Sequence, residues 1–191
     1  QPYLKINNME IRQKIAYVPQ EPYLFNDSIK ENIRIGKLNA TDEEIENAAK
    51  IAHAHEFIMK FENGYETMVG EKGTTLSGGQ KQRLAIARML LNDKPIIIFD
   101  DSLSAVDTET DLMIRKALKE NSHATTIIIT HRITTARQAD KIIVLENGKA
   151  SKIGTHEELI SEDGLYKKLW DIQGDAEKEF FEILNNKGVE V

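Results

Sequence analysis

Leu76-Ser77-Gly78-Gly79-Gln80 places a hydroxyl and two adjacent glycines at the start of a segment with helical periodicity. Glycine has no Cβ, so backbone N–H groups there approach an anion closely, and the N-terminus of the helix beneath favours negative charge. Downstream, Ile96-Ile97-Ile98-Phe99-Asp100-Asp101 is an aliphatic run that ends in two acids. Such a run reads as a buried parallel strand delivering its carboxylates to the C-terminal edge of a sheet, where open α/β folds bind ligands. A serine and two glycines alone are a weak signal. Followed by this strand, in this order, they point to a nucleotide.

Periodicity predicts the elements that hold these groups. Lys14–Val18 is a short apolar run stopped by Pro19, so a strand ends there and a loop carries Gln20, Glu21 and Pro22. Between Thr41 and Ala54, the residues Ile45, Ala48, Ala49 and Ala52 recur at helical spacing, and Thr41 and Glu44 are placed for a capping box. Gly64–Gly73 reads as a loop, and Gly79–Leu91 as a helix with Leu84, Ala87 and Leu91 on one face. Strand and helix then alternate: strand Ile96–Phe99, helix Thr108–Leu118, strand Thr125–Thr130, short helix Thr134–Ala139 and strand Lys141–Leu145. That alternation is α/β winding. Asn147-Gly148 signals a hairpin with Ala150–Ile153 returning, and helices over His156–Trp170 and Asp175–Leu184 close the chain.

Composition narrows the class. The 191 residues, 40% of them hydrophobic, suffice for a core. A net charge of −6 with both signs interspersed argues against nucleic acid as a partner, because a duplex binder needs a basic stripe. With no cysteine there is no disulfide framework, thiolate metal site or cysteine nucleophile, which fits a reducing compartment. No apolar run approaches the roughly 20 residues that span a bilayer.

The chain resembles the ATP-binding subunit of ABC transporters, of the exporter branch, over nearly its whole length up to Trp170. Tyr17-Val18-Pro19-Gln20 is similar to the Q-loop, Gly70-Glu71-Lys72-Gly73 to the exporter X-loop, and Leu76–Gln80 to the ABC signature. Ile96–Asp100 resembles the Walker B strand, Ser104-Ala105-Val106-Asp107 the D-loop, and Thr130-His131-Arg132 the H-loop. The resemblance implies an ABC-type P-loop ATPase core, mainly a parallel sheet, with an inserted helical subdomain at residues 20–90. The α/β core is then expected at 91–170 within a partial domain over 1–170, and a helical tail at 171–191.

The resemblance also implies roles. Ser77, Gly78, Gly79 and Gln80 face the γ-phosphate of ATP held by a partner nucleotide-binding domain, and Asp107 joins the nucleotide-binding set. Asp100 holds Mg²⁺, usually through water. Gln20 is a second ligand on the metal and water side, in a loop that also meets the exporter's transmembrane domain, and His131 positions the γ-phosphate. Each residue also has a plain reading: Gln20 as a turn residue, His131 as a surface histidine or cap, and Asp100 and Asp101 as solvated turn acids. The expected location is the cytoplasmic face of a membrane.

Two departures matter. The family places glutamate after the Walker B aspartate, and this chain has Asp101. The missing methylene withdraws the carboxylate by about 1.5 Å, and misplacement by about 1 Å can lower a rate on the order of 100-fold. The pattern resembles the degenerate-site half of heterodimeric multidrug exporters; the alternative is a slow base in a homodimer. Second, no G-x-x-x-x-G-K-[ST] loop is present, since Gly36-Lys37 and Gly148-Lys149 lack the upstream glycine and the hydroxyl. The expectation is a C-terminal part of a longer exporter, inactive by itself, with a sheet edge open to self-association. Two other readings stay open: a soluble ABC ATPase that does no transport, and a non-catalytic module that regulates a partner.

Overall fold

The computed structural model describes residues 8–92, 94–102, 106, 108–121 and 124–173, which fall into two compact units, Gln1–Ile129 and Thr130–Val191. In the first unit, β1 (Ile15–Val18), β2 (Ile96–Asp100) and β3 (Thr125–Ile129) form an all-parallel sheet in the order β1-β2-β3. Val18 lies beside Phe99 and Asp100 beside Ile129, so the three C-terminal ends are aligned. A helix, α1 (Asn8–Lys14), precedes β1.

Between β1 and β2 lies a helical region: α2 (Ile29–Arg34), α3 (Asp42–Ile51), α4 (His55–Ile58) and α5 (Gly78–Leu90). A side chain caps the start of α2, α3 and α5, but not of α4. Thr41 caps α3, its hydroxyl accepting from the Glu44 N–H at 3.2 Å while the Glu44 carboxylate accepts from the Thr41 N–H at 2.8 Å, as the sequence predicts. Ser28 caps α2 in the simpler way, accepting from the Glu31 N–H at 3.1 Å. The loop reading of Gly64–Gly73 holds apart from two single 3₁₀ turns, Gly64–Glu66 and Glu71–Gly73.

One core joins this region to the sheet. Leu24, Ile29, Ile33, Ile45, Ile58, Leu84 and Ile86 are buried together with Val18 and Phe99. Strand alternation sends Ala16, Val18, Ile97 and Phe99 into it. The strand expected to be buried, Ile96–Phe99, is fully buried on one face only. On the opposite face Ile96 and Ile98 of β2 are half-buried, and Tyr17, Ile127 and Ile129 are 54%, 48% and 50% exposed. Among the described residues, the outer edges of β1 and β3 pair with no further strand. α6 (Thr108–Asn121) sends Ile114 and Leu118 into the same core.

The second unit has its own small core of Ile133, Ile142, Val144, Leu159 and Tyr166. It comprises α7 (Ile133–Arg137), the antiparallel pair β4 (Ile142–Glu146) and β5 (Lys149–Gly154), α8 (His156–Ser161) and α9 (165–173). Asn147 and Gly148, at φ 51° and 75°, make the tight turn that their types predict. The helix expected over His156–Trp170 is two helices. Glu162 turns extended after α8, and the Lys152 ammonium holds the break, donating to the Glu162 carboxylate and the Asp163 carbonyl at 2.7 Å each. The helix expected over Asp175–Leu184 lies outside the described residues. None of the described helices is long and apolar enough to cross a membrane.

Candidate functional site: a glycine-led helix start and a carboxylate edge

Ser77 is the N-cap of α5, in extended conformation, and it forms a capping box with Gln80. Its hydroxyl oxygen accepts from the Gln80 N–H at 3.3 Å, and the Gln80 side-chain oxygen accepts from the Ser77 N–H at 2.9 Å. This arrangement decides which donors face outward. The third N–H of the helix is satisfied by the cap, whereas Gly78 and Gly79 hold the first two positions, whose N–H groups have no intrahelical partner. The Ser77 hydroxyl still has its own proton to donate. Two N–H groups and a hydroxyl thus lie at the start of a 13-residue helix, where its dipole favours an anion. Gln80 is placed as the residue that holds Ser77, with its side-chain oxygen turned back on the cap.

The segment leading into this cap is shaped by glycine. Gly70 sits at φ 67°, ψ −179°, a backbone region that only glycine adopts easily, and Gly73 at φ 68°. The Thr75 hydroxyl donates to the Val69 carbonyl at 3.1 Å and ties the loop across its base.

A second cluster forms at the C-terminal edge of the parallel sheet. The Tyr17 hydroxyl donates to the Asp100 carboxylate at 2.7 Å, and Gln20 Nε2 donates to the Asp101 carboxylate at 3.3 Å. The hydrogen bond to Asp100, reinforced by its charge, raises the Tyr17 pKa above the usual phenol range. Asp101 adopts φ 46°, left-handed for a residue other than glycine, while its N–H donates to the Ile129 carbonyl at 2.8 Å and extends the sheet ladder by one bond. Gln20, Asp100 and Asp101 therefore lie together at the C-terminal edge of the sheet. The sequence places Tyr17 in a strand and at the head of the Q-loop-like segment, with no contact to Asp100 expected. Its place beside Asp100 follows from the pairing of β1 with β2, which brings the ends of two parallel strands to one edge.

His131 lies in the second unit, exposed, between Thr130 and α7; there the Thr130 hydroxyl accepts from the Arg132 N–H at 3.0 Å. Asp107, with Ser104 and Ala105, lies outside the described residues. Gln82, which no motif marked, is 1% exposed on α5, and its Nε2 donates to the carbonyls of Pro19 at 3.3 Å and Gln20 at 3.4 Å.

The donor chemistry fits a hard cation at the sheet edge. Asp100 offers a carboxylate, Gln20 an amide, and the described residues hold no cluster of three or more His, Asp or Glu that would enclose an ion completely. Mg²⁺ takes one or two carboxylates and completes its shell with water and phosphate oxygens. The capped start of α5 fits a terminal phosphate. The residues present do not make a whole nucleotide site, since the loop that cradles β and γ phosphates is not among the 191.

Parallel strands with a helical insertion, a glycine-led helix start and carboxylates at the strand ends define an ABC-type P-loop ATPase core. The chain belongs to the ABC transporter family, whose profile matches residues 2–104. It is 51% identical over 164 residues to a Staphylococcus aureus (strain NCTC 8325 / PS 47) protein named as a multidrug export ATP-binding/permease protein, covering 85% of this chain and 28% of that one. A similarly named protein of Staphylococcus aureus (strain bovine RF122 / ET3-1) matches at the same 51% over the same span. Among solved structures, a bacterial Atm1-family ABC exporter with ATP bound superposes with TM-score 0.84 at 42% identity, over 88% of this chain and 30% of that chain. The chain thus spans under a third of the length of these relatives.

Proposed function

We propose that this chain is part of the nucleotide-binding domain of a multidrug-type ABC exporter, coupling ATP binding and hydrolysis at the cytoplasmic face of a membrane to export. It works against a partner nucleotide-binding domain and beneath a transmembrane domain. The observation that carries this reading is the start of α5, where the Ser77–Gln80 capping box leaves the Gly78 and Gly79 N–H groups without intrahelical partners. Such a helix start grips one end of a phosphate and is half of a site, whose other half the partner supplies.

Within that assembly Ser77, Gly78 and Gly79 bind the γ-phosphate of the partner's nucleotide, Gln80 keeps the cap in shape, and Asp107 joins the nucleotide-binding set. Asp100 and Gln20 hold Mg²⁺, which neutralises phosphate charge when bound. His131 positions the γ-phosphate, and Asp101 stands where the attacking water is oriented. Asp101 is a methylene shorter than the family's glutamate, which supports a heterodimer in which the site containing Asp100 and Asp101 is the slow one. The domain occupies residues 1–170, with the helical subdomain over about 20–90, the α/β core over 91–170 and a tail over 171–191.

The 191 residues alone are inactive on this reading. Calorimetric titration of the chain with Mg-ATP at neutral pH tests that directly, and the expected result is binding that is undetectable or millimolar. Micromolar binding would reveal a complete phosphate site within the chain and overturn the half-site reading.

A further inference from the structure

Glutamine is an uncommon choice for a fully enclosed helix position flanked by Leu84, Ala85 and Ile86, yet Gln82 is 1% exposed. Its two ends are treated differently. The end that meets the carbonyls of Pro19 and Gln20, at 3.3 and 3.4 Å, must be the NH₂, because a carbonyl can only accept. The other end, Oε1, is buried and has no hydrogen-bond partner among the described residues. A methionine or leucine would fill the volume without leaving an acceptor unmet, so packing alone does not account for the amide. What the amide achieves is a double hold on the backbone of the loop after β1.

That loop carries Gln20, whose side chain reaches Asp101 at the sheet edge. Gln82 sits one turn beyond Gly78 and Gly79 on the helix that starts at Ser77. One side chain therefore joins the two nucleotide-facing parts of the chain, one a loop and the other a helix start. Pro19 contributes no N–H of its own to fix the loop, which leaves its carbonyl and that of Gln20 as handles.

We propose that Gln82 is a positioning residue: it clamps the Pro19 and Gln20 carbonyls so that Gln20 is held toward the metal side of the sheet edge and moves together with the signature helix. This rests on the function proposed above. Because Ser77 to Gly79 face one nucleotide of the dimer and Gln20 faces the other, the clamp ties the geometry of the two sites together. Gln82 touches neither nucleotide nor metal.

The test uses the full-length protein that carries this chain, assembled with its dimer partner, and the variant Gln82→Met, which keeps the volume and removes both hydrogen bonds. Hydrogen exchange should quicken about fivefold or more in the peptide spanning residues 17–25, with residues 84–91 unchanged. ATP turnover should fall about tenfold while KM for ATP stays within about twofold, the mark of lost positioning and not of lost binding. Adding Gln82→Met to Gln20→Ala should lower turnover no further, since both act through one group. Unchanged exchange in 17–25, equal quickening in 84–91, or normal turnover despite a loosened loop would each overturn the proposal. Failure of both Gln82→Met and Gln82→Leu to fold would also overturn it, by making Gln82 a core residue first. A wild-type assembly without ATPase activity, with the exchange result as expected, would instead sink the functional reading and leave the clamp standing.

Discussion

At the scale of single residues, the informative position is Asp101. Its left-handed backbone suits aspartate better than most side chains, because a short polar group tolerates that region. Its carboxylate is also within reach of Gln20. The geometry accommodates the acid, and under the proposed function the missing methylene limits it as a base. In the assembled dimer, Asp101→Glu should raise ATP turnover by about 10- to 100-fold, the reverse of a displacement of about 1 Å, at a small stability cost from the positive φ. Steady-state turnover measured with the proper partner present decides it. Unchanged turnover would mean that Asp101 does not occupy the base position.

At the scale of elements, two packing arrangements make opposite demands on their residues. After α2 the chain passes so close to α5 that a Cβ on Gly36 would lie 1.9 Å from the Arg88 carbonyl oxygen. The obstacle is backbone and cannot swing aside, so Gly36→Ala should force the two segments apart and destabilise the first unit by about 1–3 kcal/mol, read as a lower urea midpoint with an unchanged slope. In the second unit His156 is buried, its Nδ1 2.9 Å from the Tyr166 hydroxyl and its ring 4.7 Å from that of Trp170. Burial first, and the positive charge of Arg137 second, push its pKa below the ordinary 6.5. The unfolded chain therefore takes up a proton before the folded one as pH falls. The contribution to stability is whole above about 6.5 and declines below it, toward the depressed folded pKa. Thermal unfolding followed between pH 7.5 and 5.5 should show that decline, and His156→Gln should flatten it.

At the scale of the whole molecule, the open features are edges and a face. The outer edges of β1 and β3 pair with no other described strand, and the sheet face carrying Tyr17, Ile127 and Ile129 is half exposed. Parallel sheets are ordinarily covered on both faces, and unpaired edges invite other chains. Light scattering of the 191-residue chain at micromolar concentration should accordingly give a mass above that of one copy. A monodisperse monomer would show that these surfaces are protected.

Much of this was legible beforehand, for reasons that can be named. α3, α5 and β2 were read to within two or three residues at either end, because a long periodic stripe with a Thr-x-x-Glu or Ser-x-x-Gln start leaves few alternatives. α1, α2 and α4 were not anticipated. At seven, six and four residues they are too short to show a period, and α2 and α4 stand because Ile29, Ile33, Phe57 and Ile58 find a core. The break between α8 and α9 depends on a lysine from β5. The sequence by itself determined the family, the order of the motifs and the chemical type of each candidate ligand, since these are properties of residue identity and local spacing. Only the tertiary structure decided that Tyr17 meets Asp100, that Gln20 meets Asp101 and that Gln82 holds the loop between them. Those contacts join residues more than 60 positions apart, and no local pattern encodes which distant strand ends and helix faces will pack together.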